Sequence, residues 1–341
     1  MPPPMKVAVL NPRGNDPDQT FPDLAGAPDE RLHPPVNYHA FAACTGSGFY
    51  RDPNSIPNDV RAVIVLLTHD LSRANMALTR LRREKKVIAL AWKEAGAHQV
   101  AQQLATPRSL DRFRDLCERS DGAIATTPDL APLFLSGGAP RVEFIPAPYP
   151  VEDSRWDFRR PDEEKRGVLI GTRELFVPTR NHLAALLLIK RLAESMGEPV
   201  TVFNFDGWRG RRILGKFDYS DGMLRIIEER LPYAKWLRAV AKHRFVFQLD
   251  SSTVPGQVAG DALLARIPCV GGCGTTERLV FPDLCGWGRS HEQLFDIAAR
   301  LFEHPHDCAE YVERAAQSAA ATLSFTRVAE ALQSFFAPLL R

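Results

Sequence analysis

Residues 253–272 read TVPGQVAGDALLARIPCVGG. A Pro-Gly pair opens the stretch as a turn. A short Ala/Leu helix follows and carries one carboxylate, Asp261. Ile267-Pro268 stops that helix, and a small-residue run ends in Gly271 and Gly272. Upstream, RFVFQLD (244–250) is a β-branched and aromatic run of strand type, and PCVGG (268–272) reads as a short strand. Strand, glycine turn, helix and strand in succession make the repeating unit of a parallel sheet wrapped by helices.

The same alternation runs outward in both directions. KVAVL (6–10), AVIVLL (62–67), VIALAW (87–92) and GAIATT (122–127) are continuous apolar runs, as strands covered on both faces should be. SRANMALTRLRREKK (72–86) and SLDRFRDLCERS (109–120) are helical patterns between them. Residues 141–166, RVEFIPAPYPVEDSRWDFRRPDEEKR, break the rhythm with four prolines and many charges and read as a linker. Alternation then resumes with strands at GVLIG (167–171), VTVFNF (200–205) and LRIIEE (224–229). Helices fall at 179–195, 233–243 and from 291 onward. The fold class expected is α/β, with two Rossmann-like domains facing an interdomain cleft. Residues 1–150 form the first domain and 151–324 the second. A last helix, about 325–341, returns to the first.

The 341 residues suffice for two domains. An apolar fraction of 45% and a charged fraction of 25% are those of a globular protein. The formal net charge of +2 gives no footprint of a dedicated nucleic-acid binder. No apolar run approaches the roughly 18 to 20 residues needed to span a bilayer. The start, MPPPMKVAVLNPRG, lacks the layout of a signal peptide. The cytoplasm is therefore the expected compartment. The six cysteines, at 44, 117, 269, 273, 285 and 308, show no paired zinc spacing and read as buried free thiols.

The second half resembles the GT-B fold glycosyltransferases, specifically the large retaining family numbered four. That family carries a pattern E-G-F-G-x4-E-A followed by G-x-P-V-V. Here Gly256 matches the loop glycine, and Asp261 falls where the second acid of the pair belongs. Ala262, Pro268 and Val270 match the segment after it. DGAIATTPDLAPLFLSGGAPRVEFIPAP (121–148), LIGTRELFVPTRNHLAAL (169–186) and SFTRVAEALQSFF (324–336) resemble, in the same order, the end of the first domain, the start of the second and the closing helix.

The resemblance implies transfer of a sugar from a nucleotide diphosphate sugar to an acceptor, with retention and without a metal. It implies that Arg173 and Arg180 grip the diphosphate, as guanidinium groups suit phosphate oxygens. Gly171, Gly256, Gln257 and Val258 would lie against the donor at the start of a helix, whose N–H groups favour anions. Asp261 would accept hydrogen bonds from the donor ribose. Two departures stand out: the first acid of the pair is Thr253, which can hydrogen-bond a donor sugar hydroxyl but brings no charge, and the second is Asp rather than Glu. The family's first-domain histidine has no obvious counterpart. His98 comes several residues after VIALAW; His69, His33 and His39 are the other candidates, and Glu94 is a comparable one for contacting the acceptor.

Other readings stay open: a GT-B-shaped protein that binds nucleotide without catalysis, or a nucleotide-sugar epimerase. A dehydrogenase is disfavoured because NPRGNDPD, after the first strand, contains no G-x-G-x-x-G. Asp16 and Asp18 form a D-x-D that reads as a solvated turn. The basic cluster RLRREKK (80–86) closes a helix and could rest on an anionic membrane surface beside a lipid-linked acceptor.

Overall fold

The computed structural model describes residues 5–93, 96–171 and 174–340. The chain divides into two compact units. One comprises Met1–Arg155, Thr253–Pro255 and Ala320–Arg341; the other comprises Trp156–Ser252 and Gly256–Ala319.

The first unit contains β1 (Val7–Leu10), β2 (Gln19–Thr20), α1 (Asn37–Ala43), β3 (Gly48–Tyr50), β4 (Ala62–Leu67), α2 (Leu71–Arg83) and β5 (Val87–Trp92). It continues with α3 (Ala97–Gln103), α4 (Pro107–Arg119), β6 (Gly122–Ala125), α5 (Ala131–Ser136) and β7 (Val142–Phe144). The strands form one sheet in the order β2-β3-β1-β4-β5-β6-β7, parallel throughout except for β2. Every residue of β1, β4 and β5 is buried, which is why those strands are apolar without alternation. Asp70 caps α2 by accepting the N–H of Ser72. Leu71, Ala74, Ala77, Leu78 and Leu81 turn one face of that helix to the core.

The Pro-rich segment read as linker begins inside this sheet. Residues 142–144 are the edge strand β7, bonded to β6. An edge strand needs no continuous apolar run, so its half-exposed VEF gave no strand signal.

The second unit holds β8 (Val168–Ile170), α6 (His182–Met196), β9 (Val200–Phe203), α7 (Gly207–Leu214), β10 (Leu224–Ile227), α8 (Tyr233–Val240) and β11 (Phe245–Gln248). Then come α9 (Gln257–Ala265), β12 (Cys269–Gly271), α10 (Thr275–Val280), α11 (His291–Glu303) and α12 (Asp307–Thr322), whose last three residues fall in the first unit. Its sheet is parallel throughout, in the order β10-β9-β8-β11-β12. Val168, Ile170, Phe245, Phe247 and Val270 carry the core beneath α6 and α11.

The closing helix α13 (Phe325–Phe336) belongs to the first unit. Ser324 caps it by accepting the N–H of Arg327. Phe335 comes so near Gly122 that a Cβ there would lie 2.8 Å from Phe335 Cζ, and the Arg141 guanidinium covers the same ring at 5.1 Å. The basic cluster at the end of α2 is partly built into this unit. Lys86 is buried and donates to the carbonyls of Pro57, Asn58 and Val60, and Arg80 pairs with Glu84.

Candidate functional site

In the second sheet, β8 and β11 lie side by side, and the chain winds away from them in opposite directions. The carboxyl ends of such a strand pair are where open parallel sheets hold ligands, because the connections diverge and leave a crevice. Two loops line it. The loop after β8 carries Gly171 and a tight turn over Pro178–Arg180; the loop after β11 carries Asp250, Ser252 and Gly256.

Hydrogen bonds tie these loops together. Ser251 donates its N–H to Thr179 O at 2.9 Å, and Asn181 Nδ2 donates to Leu249 O at 3.0 Å. Arg180 bridges them through its side chain. Its Nε donates to Glu174 Oε2 at 2.7 Å, and its Nη1 donates to Asp250 Oδ2 and, at 2.8 Å, to Ser252 Oγ. Burial works against the Arg180 charge, but Asp250 and Glu174 outweigh it and hold the group firmly cationic. Among the described residues, nothing accepts a hydrogen bond from Nη2, so that end of the fork can serve an anion. Arg173, the other expected cation, lies outside the described residues.

Gly256 opens α9 in a left-handed conformation, φ 90° and ψ 54°. A Cβ at this position would lie 2.0 Å from Glu277 Oε2 and 3.1 Å from Thr276 Cβ, so a side chain here would have to displace the Glu277 carboxyl. Gly171 is equally constrained. Its Cβ would lie 2.7 Å from Val258 Cγ1 and 2.9 Å from Val246 Cγ1, so the first turn of α9 rests directly on the end of β8. Gly171, Arg180, Gly256, Gln257, Val258 and Asp261 therefore all belong to the second unit, and the first five lie around this strand pair. Thr253 groups with the first unit.

Asp261 is 2% exposed. Tyr233 Oη donates to its Oδ1 at 2.5 Å, and Trp236 Nε1 donates to its Oδ2 at 2.7 Å. Both donors stand on the first turn of α8, so this carboxylate pins α9 to α8. A ribose hydroxyl would have to share an oxygen with one of them.

The sequence reading missed Glu277. It is the third residue of α10, yet only 3% exposed. Gln248 Nε2 donates to its Oε1 at 2.9 Å, and Oε2 has no hydrogen-bond partner among the described residues. Burial, reinforced by the negative charge of Asp250, pushes the Glu277 carboxyl up to about 7; its own backbone N–H, Gln248 and Arg180 work in the opposite direction. An acid in the first turn of a short helix looks in sequence like a solvated complement to the helix dipole. Only the tertiary closure of Gly256 over it shows otherwise. Burial pushes the nearby Cys273 thiol up to about 11 and Cys269 well above its ordinary value, which disfavours the thiolate of each.

In the first unit, Asp16 pairs with Lys93 at 3.5 Å, while Asp18 accepts the N–H of Arg51 at 2.8 Å. The two acids of the D-x-D thus face different partners. His39 is 3% exposed and stacks between His33, at 3.6 Å, and Phe49, at 3.7 Å. Burial, followed by His33 and Lys93, pushes it down to about 2, so it stays neutral and cannot take up a proton near neutrality. His98 is half-buried as the second residue of α3, and His69 is exposed just before α2. Glu94 lies outside the described residues.

No protein-family model matches the chain, and no curated protein sequence does. Solved structures do match in fold. A sucrose-phosphate synthase from Thermosynechococcus elongatus has a TM-score of 0.61 at 13% identity, covering 98% of this chain and 99% of its own. An alpha,alpha-trehalose-phosphate synthase (UDP-forming) from Burkholderia vietnamiensis has a TM-score of 0.61 at 11% identity, covering 81% and 72%. An alpha-glucosyltransferase solved with UDP-glucose and abasic DNA has a TM-score of 0.60 at 12% identity, covering 98% and 99%. The fold is that of the GT-B glycosyltransferases, with two Rossmann-like units.

Proposed function

We propose that the protein is a glycosyltransferase that takes its sugar from a nucleotide diphosphate donor, with retention and without a metal. The observation that carries this reading is the arrangement at the β8–β11 strand ends. Arg180, with Nη2 unengaged among the described residues, is bonded to Asp250 and Ser252 in the loop that leads into α9, and both Nη2 and the N-terminus of α9 would face the donor diphosphate. As the glycosidic bond breaks, charge builds on the departing diphosphate. A guanidinium and oriented backbone N–H groups stabilise that charge without needing to reorganise. The structures similar in fold support the donor class, since one was solved with UDP-glucose. Gln257 and Val258 would line the donor. His98, His69, His33 and Glu94 are the first-unit candidates for work at the acceptor, which is a saccharide, a lipid-linked glycan, a protein or a small molecule.

Among the described residues no helix is long and apolar enough to cross a membrane, and the reading places the reaction in the cytoplasm. The test is a thermal-shift panel of UDP, GDP and ADP with their glucose and mannose conjugates, followed by product analysis on whichever donor raises the melting temperature. Transfer or slow donor hydrolysis is expected. A second reading, nucleotide binding without catalysis, is favoured by Thr253, which supplies no carboxylate. Binding with no turnover across an acceptor library would select it.

A further inference from the structure

Glu277 lies under the turn from which α9 starts. Its Oε2, without a partner among the described residues, sits where a Cβ on Gly256 would be only 2.0 Å away. A second left-handed glycine, Gly272 (φ 79°), closes from the other side; its Cβ would fall 2.5 Å from Gln248 Nε2 and 3.0 Å from Glu277 Cγ. Two turns stripped of side chains thus shut over one buried acid and its amide partner. An ionised acid at this place would compete with any anion drawn to the helix end above it.

We infer that Glu277 is the positioning residue of the anion pocket at the start of α9: it supports the Gly256 turn as a neutral carboxylic acid, and a nucleotide diphosphate sugar binds over that turn only in this form. The inference rests on the nucleotide-sugar reading of the second unit. The charged and titratable groups around Glu277 come from several elements: Asp250 after β11, Arg180 after β8, Cys269 on β12 and Cys273 just beyond it. On α9 the titratable group is Asp261, which is held by Tyr233 and Trp236; on α10 itself it is Arg278, stacked on Trp287 at 4.1 Å. Asp250 already opposes Arg180. A second ionised carboxylate would add negative charge where a pyrophosphate brings its own. Because burial raises the Glu277 carboxyl to about 7, the bound anion favours the acid form further, and up to one proton passes from solvent to the carboxyl as the ligand docks.

The experiment is titration calorimetry of the full chain with UDP-glucose and GDP-mannose, whose diester phosphates do not titrate near neutrality. It is run at pH about 7.5 in buffers of different ionisation enthalpy. Wild type is expected to take up a substantial fraction of one proton per ligand, with affinity falling up to about tenfold per pH unit above neutrality. Glu277→Gln keeps the shape without the charge. It is expected to bind the same ligand with no proton uptake and an affinity independent of pH. Wild-type binding without proton uptake, uptake unchanged in Glu277→Gln, or loss of binding in a folded Glu277→Gln protein each overturns the inference and leaves the nucleotide reading standing. Failure of folded wild type to bind either ligand overturns both.

Discussion

Glu277 Oε2 fills the space that a side chain on residue 256 would need, with a Cβ on Gly256 falling 2.0 Å from it. The left-handed φ of 90° adds its own cost for any L-residue. Gly256→Ala should therefore destabilise the protein by roughly 2 to 4 kcal/mol in urea unfolding. Adding Glu277→Ala should restore part of that loss by removing the overlapping oxygen. A neutral Gly256→Ala would show that the turn does not close on Glu277.

Arg180 and Asp250 cannot be tested singly. Asp250 is 6% exposed, so Arg180→Ala leaves its carboxylate buried without the cation, at a cost of about 3 kcal/mol or more. Asp250→Asn in the same chain should recover most of that stability. Donor affinity should stay depressed by at least tenfold in the Arg180→Ala/Asp250→Asn protein if Nη2 serves the diphosphate. Isothermal titration at matched foldedness separates the two effects; an affinity equal to wild type would remove Arg180 from the pocket.

Asp261 joins two helices through Tyr233 and Trp236. Tyr233→Phe deletes one donor to a buried carboxylate and should cost about 1 to 3 kcal/mol. Asp261→Ala strands both donors and should cost more. A double-mutant cycle between residues 233 and 261, read by chemical denaturation, should give a coupling above about 1 kcal/mol. Zero coupling would release Asp261 for a ribose contact alone.

Stability should also report on Glu277. Its carboxyl lies at about 7 in the folded chain against an ordinary 4.5, so the native state binds the extra proton between those values. Stability from this group is full below about 4.5 and is lost as the pH rises through about 7, with about 3 kcal/mol at stake. Glu277→Gln should thus raise the melting temperature at pH 8 and leave it nearly unchanged near pH 5. Buried His182 and His243, both pushed down to about 4 by burial, act in the opposite sense. Their contribution is lost as the pH falls from about 6.5 toward about 4, in wild type and variant alike.

The legible parts of the fold were those that burial forces into the sequence. β1, β4 and β5 are covered on both faces and so announce themselves as unbroken apolar runs. β3 has only three residues behind a glycine, β7 hides among prolines at a sheet edge, and α7 carries two glycines that weaken its helical pattern. In the site, a glycine before α9 and a cation after β8 could be picked out locally. What holds them could not: Asp250 stands 70 residues from Arg180, and Glu277 acquires its character only when two distant glycine turns close on it. The ribose role of Asp261 rests on resemblance alone, and chain order does not reveal Tyr233 and Trp236 beside it.

Hydrogen exchange of the full chain, with and without the nucleotide sugar that raises its melting temperature, bears most directly on the claim that the β8–β11 crevice holds the donor. Ligand should slow exchange of the backbone amides at residues 257–260, where α9 begins, and at 179–182, around Arg180. Slowing confined to other segments, with these two stretches unchanged under saturating ligand, would contradict it.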